Sequence, residues 1–161
     1  VEVAIFNIGA NVRFGITETT ARVYRKVWEM AGFAGFLTGR EAARVMLPRG
    51  KGTIIFTGAT ASLRGGSGFS AFAGAKFALR ALTQSMAREL GPQGIHVAHP
   101  IIDGAIDTAF IRDNFPERYA LKDQDGILNP DHIADQYWAL HAQPRDSWTH
   151  ELDLRPWMET F

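Results

Sequence analysis

The stretch FSAFAGAKFALRALTQSMAREL, residues 69–90, carries a lone lysine, Lys76, inside one of the least polar runs of the chain. Helical spacing puts Phe72 one turn before it on the same face. An ammonium so placed either snorkels out of an apolar helix or belongs to a catalytic group. Other residues offer different chemistry. A serine with His96 or His99 would make a hydrolytic pair, although Ser67 in GGSGF lacks the glycine spacing of a nucleophile elbow. His96, His99 and Asp103 invite a metal, but residues three apart in a strand point to opposite faces, so the reading is no metal site. Two glycine-bearing stretches, FTGATASLRG and GSGFSA, imitate phosphate-binding turns. The first has Ser62 and Arg64 where glycines are required, and the second begins well past the strand end, so both read as one active-site loop.

The elements that must position Lys76 follow from periodicity. VEVAIFNIGAN is a β-rich run leading into a turn, and GTIIFTG is a second, bounded by glycines. Between them residues 19–46 repeat apolar positions at helical spacing, long enough that a break or kink is expected. Gly32, Gly35, Gly39 and Ala42 form a small-residue stripe there, suited to packing on the domain's own sheet or to a subunit contact. A second helix over residues 70–90 is stopped by Gly91 and Pro92. IHVAHPII is the third strand, where Pro100 predicts a bulge, an edge position or an early end. The polar stretch RDNFPERYALKDQDGILNP reads as a loop with one short helix. Asn129 and Pro130 then cap a helix to Ala142, and HELDLRP alternates as a half-exposed edge strand. Trp138, Trp148 and Trp157 read as core and interface aromatics. Strands alternating with helices imply a parallel sheet flanked by helices, an α/β class.

The segment IIFTGATASLRGGSGFSAFAGAKFALRALTQSMARELGPQGIHV resembles the active-site segment of the short-chain dehydrogenase/reductase family, where a strand ends in serines and a helix begins Tyr-x-x-x-Lys. IFNIGAN resembles the family's Asn-Asn-Ala-Gly strand end. VWEMAGFAGFLTGREAARVMLPRGKG resembles its long helix with the catalytic asparagine. DGAIDT resembles its Pro-Gly segment and nicotinamide-holding threonine, with Asp103 in place of the proline. The resemblance implies a partial Rossmann-like sheet, residues 1–161 forming one domain that is the carboxy-terminal portion of the doubly wound fold. It also implies NAD or NADP as cofactor, a small carbonyl or alcohol substrate, and cofactor contacts by Asn7, Gly9, Lys76 and Thr108. In the family a tyrosine exchanges a proton with the substrate oxygen. Its phenol, with a pKa of about 10 when free, is assisted by the lysine one turn on. Here Phe72 holds the tyrosine position, Ala59 the serine and Ala31 the asparagine, leaving Lys76 as the retained catalytic residue. Thr60 and Ser62 stand beside the vacated serine place as substitute hydroxyls. Activity is therefore expected to be reduced or lost. The alternatives are a non-catalytic nucleotide-binding or assembly module (a pseudoenzyme) or a serine hydrolase on the same scaffold.

The chain starts at Val1 inside an apolar run, and the glycine-rich turn that receives pyrophosphate is not in it. About 80 residues of preceding strands and helices, at about 30 per βαβ unit, are expected upstream, leaving the first strand as an open edge. Lys plus Arg and Asp plus Glu number 17 each, so no field favours nucleic acid or an anionic membrane. There is no cysteine and no apolar run near the ~20 residues of a membrane helix. The expectation is a cytoplasmic protein that forms a homodimer or homotetramer through its two long helices.

Overall fold

The computed structural model describes residues 1–160. Its elements in chain order are β1 (Val3–Phe6), α1 (Ala21–Trp28), α2 (Ala34–Met46), β2 (Gly52–Phe56), β3 (Gly58–Ala59), α3 (Ser70–Leu90), β4 (Ile95–Ile102), α4 (Ala109–Asn114), α5 (Pro116–Tyr119), α6 (Pro130–Ala142) and β5 (Glu151–Leu154). All pairings are parallel. Val3 to Phe6 lie beside Thr53 to Phe56, and Gly52 to Ile55 beside Ile95 to Ala98. β3 continues β2 past Thr57 along the same side of β4, and β5 runs along the other side. Among the described residues β1 has no strand on its outer side, and Ile5 there is 50% exposed.

Alternation along the strands divides the core into two layers. Ile54, Phe56, Ile95 and Val97 face Ala42, Met46, Leu79 and Leu90 of α2 and α3. Ile55 and Ala98 face Leu140 and Tyr137 of α6. Burying one such Ile or Leu side chain contributes roughly 1.5–3 kcal/mol. On the α6 side, Thr53 Oγ1 and His141 Nδ1 share a 2.9 Å hydrogen bond, and Thr57 Oγ1 and Tyr137 Oη one of 2.6 Å. The opposite end of the sheet is tied by Arg80 of α3, which donates to both carboxylate oxygens of Glu151 at 2.6 and 2.8 Å.

The break expected in the long helix is a π-helical turn over Glu29–Phe33. It presents Ala31 and Gly32, both buried, toward α3, where a Cβ on Gly32 would stand 3.5 Å from Ala75 O. The small-residue stripe packs inside the domain. A Cβ on Gly39 would lie 2.8 Å from both Met86 and the Phe56 ring. Thr20 caps α1 by accepting from Val23 N, and Asn129 caps α6 by accepting from Asp131 N, with Pro130 first in the helix.

Three expectations are corrected. Pro100 causes neither a bulge nor an end of β4, because pairing with β2 stops at Ala98 and pairing with β3 starts at Ile101. The proline sits in that gap on the β2 and β3 side, while toward β5 it stays in register with Leu152, and His99 N and Asp103 N supply the flanking bonds. The polar stretch holds two short helices, since the residue before a proline is pushed out of the helical region and Phe115, at φ −138°, separates α4 from Pro116. Trp138 and Trp157 are 71% and 77% exposed, outside the core. Trp148 alone of the three is half-buried, stacked on His96 at 4.9 Å.

Candidate active site

The carboxyl ends of β1, β2, β3 and β4 converge on the first turns of α3 around a cavity of about 510 Å³. This is where parallel α/β sheets form ligand crevices. Its wall includes Asn7, Gly9 and Asn11 after β1, Thr57, Ala59 and Thr60 around β3, and Phe72 and Lys76 of α3. Both glycine-bearing stretches, from Thr57 through Phe69, contribute to this wall, as an active-site loop does. Phe72 and Lys76 thus share one cavity, with Lys76 Nζ 5.8 Å from the Phe72 ring centroid.

Lys76 does not snorkel. It is 2% exposed, and its Nζ donates to Thr57 O at 2.9 Å and Ile8 O at 3.1 Å. Those carbonyls lie just past the ends of the neighbouring strands β1 and β2, so the segments leaving the sheet supply acceptors for the ammonium. Burial removes water from the charge and pushes its pKa down to about 8. Two carbonyls engage two of the three Nζ protons. The third is left for a ligand in the cavity.

Opposite lies a second charged group that the sequence reading did not assemble. Asp103, directly after β4, is fully buried. Its carboxylate accepts from Thr60 Oγ1 at 2.5 Å and from Arg64 Nη1 and Nη2 at 3.1 and 3.4 Å. Thr60 and Arg64 both line the cavity. Ser62 does not: it is buried, and its Oγ accepts from Ala59 N at 3.2 Å. Thr60 is therefore the hydroxyl at the cavity wall beside Ala59. The signal available in the sequence was an acidic residue directly after the run VAHPII, apolar but for His99, which buries a charge and demands a partner.

Of the four expected cofactor contacts, Asn7, Gly9 and Lys76 meet at the cavity. Thr108 is not on its wall; it is exposed and caps α4, its hydroxyl accepting from Ile111 N at 3.3 Å. Ala31 is buried in the π turn, packed with Val27 and Ala71. The histidines serve the scaffold. His99 Nδ1 donates to Phe56 O at 2.8 Å, and burial pushes its pKa down to about 4, so the ring is neutral. His96 Nε2 donates to Thr149 O at 2.8 Å on the other face. No group of three metal-ligating side chains, and no helix long and apolar enough to cross a membrane, occurs among the described residues.

Comparison with known proteins decides the family. The family model for short chain dehydrogenases matches residues 1–118. The chain belongs to the short chain dehydrogenase family. It is 33% identical over 126 residues to (21S)-21-acetoxyl-apo-melianone synthase SDR of Melia azedarach, a match covering 71% of this chain and 46% of that one. The crystal structure of a short-chain dehydrogenase from Rhodopseudomonas palustris superposes with a TM-score of 0.79 at 56% identity, covering 97% of this chain and 62% of that chain. ElxO with NADP bound shares the fold at a TM-score of 0.85 and 17% identity, over 96% of this chain and 66% of that one. The chain of this short chain dehydrogenase thus spans about half the length of the Melia azedarach relative.

Proposed function

We propose that the protein is a nicotinamide-nucleotide-dependent oxidoreductase acting on a small alcohol or carbonyl compound, slowed by the replacement of the family's tyrosine, serine and asparagine with Phe72, Ala59 and Ala31. The observation that carries the reading is Lys76, buried at the strand ends with two carbonyl partners and one N–H left for the cavity. A ribose hydroxyl is a fitting acceptor for that proton. Gly9 leaves bare backbone at the rim, with nothing within 4 Å of where a Cβ would stand, and Asn7 adds an amide. These residues fit NAD or NADP, which when bound would exchange hydride with the substrate carbon. Thr108 joins the set by giving up its cap on Ile111 N, a change confined to the first turn of the six-residue α4.

The proposed partner in assembly is a second copy, giving a homodimer or homotetramer through α1, α2 and α3. Trp28, Phe33 and Phe36 form an exposed stacked row, with ring centroids 5.6 and 6.0 Å apart, and Phe77 of α3 is also exposed. Such an apolar row on a helix surface favours a protein contact.

Calorimetric titration of the full-length protein with NADH and NADPH tests the reading. One nucleotide per chain should bind, and Lys76→Met should weaken it about tenfold or more. Absence of heat and of any thermal shift with both nucleotides overturns it. A second reading, a nucleotide-binding module without chemistry, is favoured by one observation: Phe72 has no transferable proton at the tyrosine position. Binding without turnover of any alcohol or carbonyl would select that reading.

A further inference from the structure

Phe72 and Lys76 leave the cavity short of a group that exchanges a proton with substrate, and the cluster of Thr60, Arg64 and Asp103 supplies one. Asp103 is fully buried, a costly place for a carboxylate unless it is paired and hydrogen-bonded. Arg64 pairs with it through both terminal nitrogens, and Thr60 Oγ1 donates to it at 2.5 Å. That bond fixes the polarity of Thr60. Its single proton points at Asp103, so the lone pairs of Oγ1 are what it offers the cavity. A threonine held this way accepts from a ligand O–H and has no proton to give a carbonyl. The one Lys76 N–H not taken by Ile8 O and Thr57 O is assigned to a ribose hydroxyl in the reading above.

We propose that Thr60 and Asp103 form a proton relay that takes the hydroxyl proton of an alcohol substrate, so that the cavity is built for alcohol oxidation. This rests on the oxidoreductase reading above and narrows its substrate class. The carbon–hydrogen bond of the alcohol breaks, and hydride leaves with its electron pair to an oxidised nicotinamide nucleotide. The O–H proton passes to Thr60 Oγ as the threonine's own proton passes to Asp103 Oδ1, and the carbon–oxygen double bond forms. Asp103, now a neutral acid, returns the proton to solvent after the carbonyl product departs. Thr60 is the catalytic residue in this scheme, because it touches substrate. Asp103 acts through it, and Arg64 is a positioning residue that holds the carboxylate and compensates its charge.

The test uses the full-length protein with oxidised nicotinamide nucleotide and a panel of secondary alcohols that includes cyclohexanol. Thr60→Val and Asp103→Asn should each lower kcat by about 100-fold or more, the usual effect of losing a positioned base. Nucleotide affinity should stay within about threefold in both variants and the alcohol KM within about threefold in Asp103→Asn, and Thr60→Ser should keep most of the wild-type rate. A merely structural clasp between the two loops would move KM and nucleotide affinity along with kcat, and that pattern overturns the proposal. Without any nucleotide, saturation-transfer NMR should show cyclohexanol bound to wild type and Thr60→Ser but not to Thr60→Val. If Thr60→Val fails to fold, Asp103→Asn and Thr60→Ser decide the matter through the split between kcat and KM. Wild-type kcat in Asp103→Asn, equal cyclohexanol binding by Thr60→Val, or bound nucleotide with no alcohol oxidised would each overturn the relay. Failure of the oxidoreductase reading is recognised separately, by the absence of nucleotide binding.

Discussion

Burial of Lys76 makes the stability of the protein depend on pH in a direction opposite to that of most lysines. Its pKa falls from 10.5 to about 8 on folding because the ammonium loses its water. Below pH 8 both folded and unfolded chains carry the charge, and the full burial penalty is present. Between pH 8 and 10.5 the folded chain is neutral at Lys76 while the unfolded chain still binds the proton, so stability rises with pH. At about 1.4 kcal/mol per pH unit the whole span corresponds to about 3 kcal/mol. From pH 7 to 9.5 the gain is about 2 kcal/mol. His99, the titratable neighbour in the core, has its pKa pushed down to about 4 and stays neutral across this range, and the buried phenol of Tyr137 is pushed upward, beyond it. The assay is urea unfolding of the full-length protein, followed by tryptophan fluorescence, at intervals from pH 7 to 9.5 beside Lys76→Met as the reference for every other group. Wild type should gain about 2 kcal/mol over the variant across the interval. A difference between the two proteins that is independent of pH would refute the buried, carbonyl-held ammonium.

Two further outcomes follow from the packing. Gly94 adopts φ +85°, and a Cβ there would lie 2.3 Å from Gly50 O; Gly94→Ala should lower unfolding free energy by about 2 kcal/mol or more, and unchanged urea midpoints would contradict the close approach of these two turns. Trp28→Glu with Phe36→Glu places charges in the exposed aromatic row. Light scattering should then report a monomer in place of the dimer or tetramer proposed for wild type, and an unchanged mass would remove that face from the assembly.

Local chemistry made much of the fold legible. The spacing of Phe72 and Lys76 needs only helical geometry, and the two side chains do face one cavity. Asn129 and Pro130 specify a helix start by hydrogen bonding within a few residues, and Ser70 to Leu90 is bounded by breakers of its own. What stayed hidden depends on distant pairing. Asp103 and Arg64 are 39 residues apart, and Thr60 and Asp103 are 43 apart, so no periodicity links them. Only the sheet, by setting β3 beside the end of β4, brings the loop that follows β3 to the carboxylate. Pro100 misled for the same reason, since its tolerance depends on where two neighbouring ladders stop and start. The aromatic character of Trp138 and Trp157 likewise carries no information about which face of the fold they occupy.

In the proposed reading the cavity keeps the family's lysine as Lys76 and lacks the hydroxyls that such a lysine serves. Its most direct test is kcat/KM for carbonyl reduction by the full-length Phe72→Tyr, Ala59→Ser double variant against wild type. Restoring a proton donor beside Lys76 and an orienting hydroxyl at the end of β3 should raise it by about 100-fold or more. A double variant that folds and binds nucleotide yet shows no gain across a broad panel of carbonyl compounds would contradict the assignment of these positions.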